Sequence, residues 1–180
     1  MKDYEAFIGR ANEESYTQVL HIDTAALKFD EGLIALCAQN ACGHYDTSWT
    51  CPPGCGEMEA LQKKIQGYPN GVVLQMKYDI EDSFDFEGMQ RAGDDFNERF
   101  FKMQAKCKET IGSDFYALKA GSCHLCDTCT YPDEPCVHPD TARPSIEACG
   151  INVSALCKLA GIPYIYGANT VAYVALFLFH

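Results

Sequence analysis

The sequence predicts a mixed α/β (α+β) fold, with a single domain over residues 1–180 in which flanking helices cover a central mixed sheet and two cysteine-rich loops project. Three observations support this prediction. The 180 residues are 47% hydrophobic, which suffices for one core without disulfide bonds. Helical and strand-like apolar patterns follow one another along the chain. Cysteines concentrate in two stretches, which define a first cysteine loop at 37–55 and a second cysteine loop at 121–138.

The first half of the chain contains two predicted helices and two predicted strands. Residues 3–16 have the spacing of an amphipathic helix, and 19–22 are typical of a short strand. Residues 33–36 lead into the first cysteine loop. After that loop, apolar residues again recur at helical spacing: Met58, Leu61 and Ile65. A glycine-containing turn then precedes a buried strand at 72–76.

The second half begins with the clearest helix of the chain. Between residues 87 and 107 the apolar positions keep steps of three and four. Residues 115–118 predict a strand that feeds the second cysteine loop. Ser145 and Asn152 are candidate caps of helical turns, and the second of them starts a helix that ends before Gly161. Residues 163–166 and 170–179 are interpreted as a terminal hairpin.

Charge and composition exclude several classes of function. The net charge of −11 and the pI near 4.7 leave no basic stripe for phosphates, so neither nucleic acid nor an anionic membrane is an expected partner. The first ten residues lack the pattern of a signal peptide, and the longest apolar stretch, 171–179, is half of a membrane span. We therefore expect a cytoplasmic protein, in which eleven cysteines indicate metal binding or catalysis more than disulfides.

The second cysteine loop has the spacing of an iron–sulfur site. Its cysteines form a C-x2-C-x2-C triple followed six residues later by Pro-Cys: Cys123, Cys126, Cys129 and Cys136. Three closely spaced thiolates with a distant fourth beside a proline are typical of a cubane cluster, as in bacterial ferredoxins. Structural zinc and disulfides are the alternatives. His124 is expected to be a spacer in the loop, with metal ligation as the other possibility.

The first cysteine loop has irregular spacers but suitable loop chemistry. Its cysteines are Cys37, Cys42, Cys51 and Cys55. Pro52-Pro53 stiffens the chain beside the third cysteine, and nearby glycines allow the backbone to approach a cluster closely. Tyr45 and Trp49 could shield a cluster from water or could be ordinary core aromatics.

Several motifs together carry a resemblance to a known family. They are Cys37, Cys42, Cys51-Pro-Pro53, Gly121-x-Cys-x2-Cys-x2-Cys, Pro135-Cys136, Pro144-Ser145-x-Glu147-Ala148 and Gly150-Ile151-x-Val153. From about residue 30 to its end, the chain resembles the predicted metal-binding proteins of a prokaryotic family whose domain has no known function. The resemblance implies two cysteine groups that hold iron–sulfur clusters, and it implies no reaction or substrate.

The resemblance leaves the fourth ligand of the first group open between Cys55 and Cys149. Many family members lack the former and have a cysteine at the position of the latter, whereas one branch has Cys-Pro-Pro-x-Cys-Gly. This chain has both, and we expect Cys55 to be the ligand and Cys149 to pack as a small buried residue. Cys107 and Cys157 lie on apolar helix faces and are also expected to pack.

The residues favour an iron–sulfur protein that binds two [4Fe-4S] clusters through these eight cysteines and transfers electrons to or from a redox partner protein. Zinc is the alternative metal. An enzyme that binds a small substrate at an open iron is the second hypothesis, and a structural metal-binding interaction module is the third. A series of acidic residues, here called the acidic segment, is interpreted as a solvated face or as a docking patch for a basic partner: Asp79, Glu81, Asp82, Asp85 and Glu87.

Overall fold

This computed structural model describes residues 2–180 of the chain. They fold around a four-stranded antiparallel sheet. The strands are β1 (Gln18–Asp23), β2 (Asn70–Asp79), β3 (Phe115–Lys119) and β4 (Thr170–Phe179). The helices are α1 (Asp3–Glu13), α2 (Gly32–Ala38), α3 (Met58–Gln66), α4 (Phe86–Ile111) and α5 (Val153–Leu159). Short 3-10 turns cover Thr24–Ala26 and Glu147–Cys149. Among the described residues, no helix combines the length and the apolar character that crossing a membrane requires.

Strand β4 lies inside the sheet and is covered on both faces, which explains its long apolar sequence. The strand order is β1-β2-β4-β3, so β4 pairs with β2 on one side and with β3 on the other. Phe177, for example, lies opposite Val72 in β2 and Ala117 in β3. A strand that is buried on both faces loses the polar alternation of a half-exposed strand.

The two faces of the sheet have separate cores. Alternate residues of β4, Val174, Leu176 and Leu178, point into a core shared with α3, α5 and the second 3-10 turn. The intervening residues, Ala175, Phe177 and Phe179, point into a core shared with α1 and α4. The molecule is therefore a three-layer sandwich, and both cysteine loops lie outside it, in segments without regular strands.

The predicted mixed α/β fold is confirmed, and most of its elements lie where the sequence places them. Helix α4 covers the predicted 87–107 and continues to Ile111, and Asp85 caps its start by accepting a hydrogen bond of 2.7 Å from the Gly88 N–H. Asn152 caps α5 in the same way, with 3.0 Å to the Ala155 N–H. Cys107 and Cys157 are buried in the two cores, as predicted.

Two predictions about the sheet are wrong. The sheet is antiparallel throughout and not mixed, because β4 enters between β2 and β3 and runs opposite to both. Residues 163–166 also form no hairpin strand with β4. Instead, side chains hold this segment against the sheet: Gln75 Nε2 donates to the Pro163 carbonyl at 2.9 Å, and the Tyr166 hydroxyl donates to Gln75 Oε1 at 2.6 Å.

Candidate metal centre

The first cysteine loop starts on a helix and closes on itself through backbone hydrogen bonds. Cys37 lies in the last turn of α2, a helix that the sequence did not predict and that has no fully buried residue. The Asp46 N–H donates to the Pro52 carbonyl at 2.8 Å, and the Cys55 N–H donates to the Cys51 carbonyl at 3.0 Å. The loop thereby folds back on Cys51, which is only 6% exposed.

The thiols of the first loop are neighbours, since Cys37, Cys42 and Cys51 line one cavity. Burial raises the pKa of Cys37, and the thiolates of Cys42 and Cys51 raise it further. Burial likewise raises the pKa of Cys55 to about 11, with Cys51 and Cys37 as further contributors. Thiolates that repel one another in this way are stabilised by a shared cation, because a metal ligand must be deprotonated.

Cys149 lies close to this group but belongs to the core. It is fully buried among Ile146, Ile151 and other apolar side chains. Burial raises its pKa to about 12, and the next contribution comes from Cys55. The structure thus brings five cysteines into one neighbourhood and gives Cys149 the surroundings of a packing residue. The choice of Cys55 as the ligand stays a prediction.

The second cysteine loop gathers its four cysteines around one small cavity. The cavity is lined by Cys123, Cys126, Cys129 and Cys136. Partial burial raises the pKa of Cys126, followed by repulsion from the other three thiolates of the loop. The backbone of the loop also supplies hydrogen-bond donors to sulfur: the His138 N–H lies 3.4 Å from Cys136 Sγ. Such N–H···S bonds stabilise negative charge on thiolates.

Trp49 joins the two loops. Its indole N–H donates to the Glu134 carbonyl at 3.0 Å, and its ring packs edge-on against Tyr131 with the centroids 4.9 Å apart. The Tyr131 hydroxyl in turn donates to Asp46 in the first loop at 2.6 Å. Trp49 therefore covers the second group of cysteines, although it lies in the first loop. Tyr45 lines a larger cavity beside the first group.

Lys119 is a residue at this centre that the sequence analysis missed. It ends β3, is 8% exposed, and donates from Nζ to the Ser122 carbonyl. Burial lowers its pKa to about 8, against opposing contributions from Cys123, Glu147 and Cys51, so it lies within electrostatic reach of both loops. A lysine directly after an apolar strand and four residues before a cysteine is the sequence signal that could have identified it.

The donor chemistry of both loops fits a soft metal or an iron–sulfur cluster. All of the cysteines are free thiols. Within residues 2–180, no three His, Cys, Asp or Glu side chains converge tightly enough to hold a single metal ion. His124 does not line the cavity of its own loop's cysteines: its Nε2 lies 3.2 Å from the Ser122 hydroxyl oxygen, and the residue lines the cavity beside the first group. Thiolates are the ligands that zinc, copper(I) and iron–sulfur clusters prefer.

Comparison with known proteins gives one match. The family model described as "Predicted metal-binding protein (DUF2284)" matches residues 20–179, which is most of the chain and contains both cysteine loops. No curated protein and no solved structure matches the chain. The match confirms the resemblance that the cysteine motifs carry.

Proposed function

The chain belongs to this family of predicted metal-binding proteins, and from that premise we propose that its two cysteine loops hold two [4Fe-4S] clusters that carry electrons. The observation that carries the proposal is the grouping of four thiols in each loop, with those of the second loop around one cavity. Each cluster, when bound, supplies a one-electron redox couple whose potential depends on burial and on hydrogen bonds to sulfur. Ligation by four thiolates leaves no iron open, which favours electron transfer over substrate chemistry.

The proposed ligands are the eight cysteines of the two loops. Cys37, Cys42, Cys51 and Cys55 would hold the first cluster; Cys123, Cys126, Cys129 and Cys136 would hold the second. The contacts between Trp49 and the second loop support a fixed arrangement of the two sites, because the indole N–H bridges the loops. Lys119 would lie between the two sites and offset part of their negative charge.

The acidic segment supports a basic redox partner. All of its carboxylates except Asp85, which caps α4, are exposed. Within the segment, Phe84 and Phe86 are 79% and 74% exposed, so two apolar rings stand among like charges. Such a surface attracts a basic face and offers it apolar contact. Met89, less than one turn further along α4, lines the cavity beside the first group of cysteines, so a partner docked here would lie near that group.

Iron and acid-labile sulfide analysis of protein prepared without oxygen tests this function. Two four-iron clusters correspond to about eight iron and about eight sulfide per chain. Cys126→Ala should lose about half of both, and Cys157→Ala, which removes a buried thiol of α5 in the core, should lose neither. Reversible reduction of both clusters is expected. Protein that contains zinc in place of iron and sulfide would overturn the proposal.

An enzyme is the second candidate, favoured by the large cavity that Cys37, Cys42 and Cys51 line together. If one of the four thiolates of the first group were replaced at the metal by a substrate, the reaction would take place in that cavity. A small thiol or cyanide should then change the spectrum of one cluster only. Unchanged spectra with both clusters fully ligated would exclude this second function.

A further inference from the structure

The cavity beside the first cysteine loop has the size and the walls of a binding site for a small molecule. Its volume is about 550 Å³, and it lies between that loop, α4 and the segment that follows β3. Met89, Phe96 and Tyr173 supply an apolar wall. Pockets that bind small organic ligands have similar volumes and are lined mostly by apolar side chains with a few polar groups.

Lys119 supplies a charged group to this cavity. The side chain is nine-tenths buried and lines the cavity, and its ammonium has three protons but donates to one backbone carbonyl, that of Ser122. Among the described residues, no carboxylate lies within 4.0 Å of Nζ to form a salt bridge. Nζ donates only to the Ser122 carbonyl among the described residues, and a buried ammonium with unused donors favours a ligand that brings a negatively charged acceptor.

The other polar groups of the cavity are consistent with an anionic ligand. His44 and His124 also line the cavity, and both are exposed. Glu147 also lines the cavity, but its carboxylate is already engaged by the Gly121 N–H at 3.2 Å and 3.3 Å. Asp94 is exposed. Lys119 is therefore the charged group in the interior of the cavity that is free to bind a ligand.

We propose that this cavity binds a small organic anion with a flat apolar body, whose acidic group is held by Lys119. The body would pack between Phe96, Met89 and Tyr173, and the acidic end would lie beside Cys51 and Ser122, where Lys119 is anchored. Cys37, Cys42 and Cys51 also line this cavity. The metal that they would hold therefore forms part of its wall, and the ligand would lie against it.

Fluorine NMR with three probes of similar size tests the charge preference. The probes are 4-fluorobenzoate, 4-fluorobenzamide and 4-fluorobenzylamine, added to full-length protein with its native metal. The benzoate should bind about tenfold more tightly than the amide and the amine, as a charge-assisted hydrogen bond to a buried ammonium implies. Equal affinity for the three probes, or no binding of the benzoate, would overturn the proposal.

Two variants and a matched control locate the site. Lys119→Met keeps the side-chain stem and should abolish the preference for benzoate while leaving the amide unaffected. Lys64→Met removes an exposed lysine whose ammonium lies over the ring of Tyr116, and it should leave all three affinities unchanged. Gly93→Leu places a side chain from α4 into the cavity, where its Cβ would lie 3.2 Å from the Tyr173 hydroxyl oxygen, and should weaken all three probes.

The outcomes separate this site from the proposed clusters. Retained preference for benzoate in Lys119→Met, with a melting curve like that of the wild type, would show that the lysine serves only as a counter-charge for the thiolates and would overturn the anion site. If Gly93→Leu does not fold, the probe series on the wild type and on Lys119→Met still decides whether Lys119 holds the acidic group of the ligand. If the protein contained no iron, a preference for benzoate would still support the anion site.

Discussion

The choice between Cys55 and Cys149 as a metal ligand yields a sharp prediction, because the two residues have different surroundings. Cys149 is fully buried beside Ile146 and Ile151, so Cys149→Ala leaves a cavity about the size of one heavy atom. Deleting one such buried group costs about 1 kcal/mol. For a chain of this length that corresponds to a fall in melting temperature of about 2–4 °C. Cys55 is partly exposed on a loop, so its truncation has little packing cost.

The two alanine variants should therefore fail in different ways. Cys55→Ala should lose about half of the iron and sulfide, from about eight to about four iron per chain, and melt between the wild type with both clusters and the wild type depleted of metal. Cys149→Ala should keep all of its iron and show only the small loss of stability. Iron, sulfide and electron paramagnetic resonance measurements, combined with thermal melts with and without a chelator, separate the two effects. If Cys149→Ala lost half of its iron while Cys55→Ala kept it, the assignment of the fourth ligand would be reversed.

Three further predictions concern the stability of the sandwich. Hydrogen bonds from Lys106 and Lys102 hold the pKa of Glu14 down to about 2. The carboxylate therefore contributes stability above pH 4.5, and this contribution is lost as the pH falls towards 2. Glu14→Gln should flatten the dependence of stability on pH in that window, and an unchanged slope in acid titrations would contradict this prediction. Gln75→Ala should lower the free energy of unfolding by about 1–3 kcal/mol in urea denaturation, because the Tyr166 hydroxyl loses its acceptor; no change would mean that water replaces the amide. Phe177→Ala should cost about 3–5 kcal/mol in the same assay, since this ring is fully buried, and a loss under 1 kcal/mol would refute the packing described for that core.

Local patterns in the sequence predicted the elements whose packing is local. Helix α4 follows its apolar spacing of three and four, and the predicted cap at Asn152 accepts from an N–H three residues away. Strand β4 was recognised from its apolar run. Its partners were not, because β2 lies about 90 residues earlier in the chain and the pattern of a strand buried on both faces is the same whichever strands flank it.

The wrong prediction at 163–166 and the missing prediction of α2 have the same kind of cause. Pro163-Tyr-Ile-Tyr166 has strand-like residues, yet Ile165 is 82% exposed and the segment is held by the side chain of Gln75 instead of by a strand ladder. Helix α2 is apolar or small at every position and packs none of its residues fully, so no polar face marks out a helical stripe. In both places the conformation depends on neighbours that are distant in the sequence.

The candidate site likewise has features that the sequence predicts and features that it does not. The spacing of the cysteines placed four of them in each loop, and the structure puts the members of each group near one another. Spacing could not show that Trp49 of the first loop covers the cysteines of the second, nor that Lys119 lies between the loops, since both facts follow from how the loops fold against each other. Burial of a single lysine is a tertiary property, and the pattern of β3 alone contains no sign of the cavity.

The position of both cysteine loops outside the sandwich has a consequence for the order in which this protein matures. The two cores contain no residue of either cysteine loop, so the polypeptide can reach its native topology before it receives metal. Small zinc domains fold only when their ion arrives. Here the folded apoprotein would instead be the acceptor to which the metal is delivered, with Cys42 exposed at the surface as the first thiol that a donor could reach.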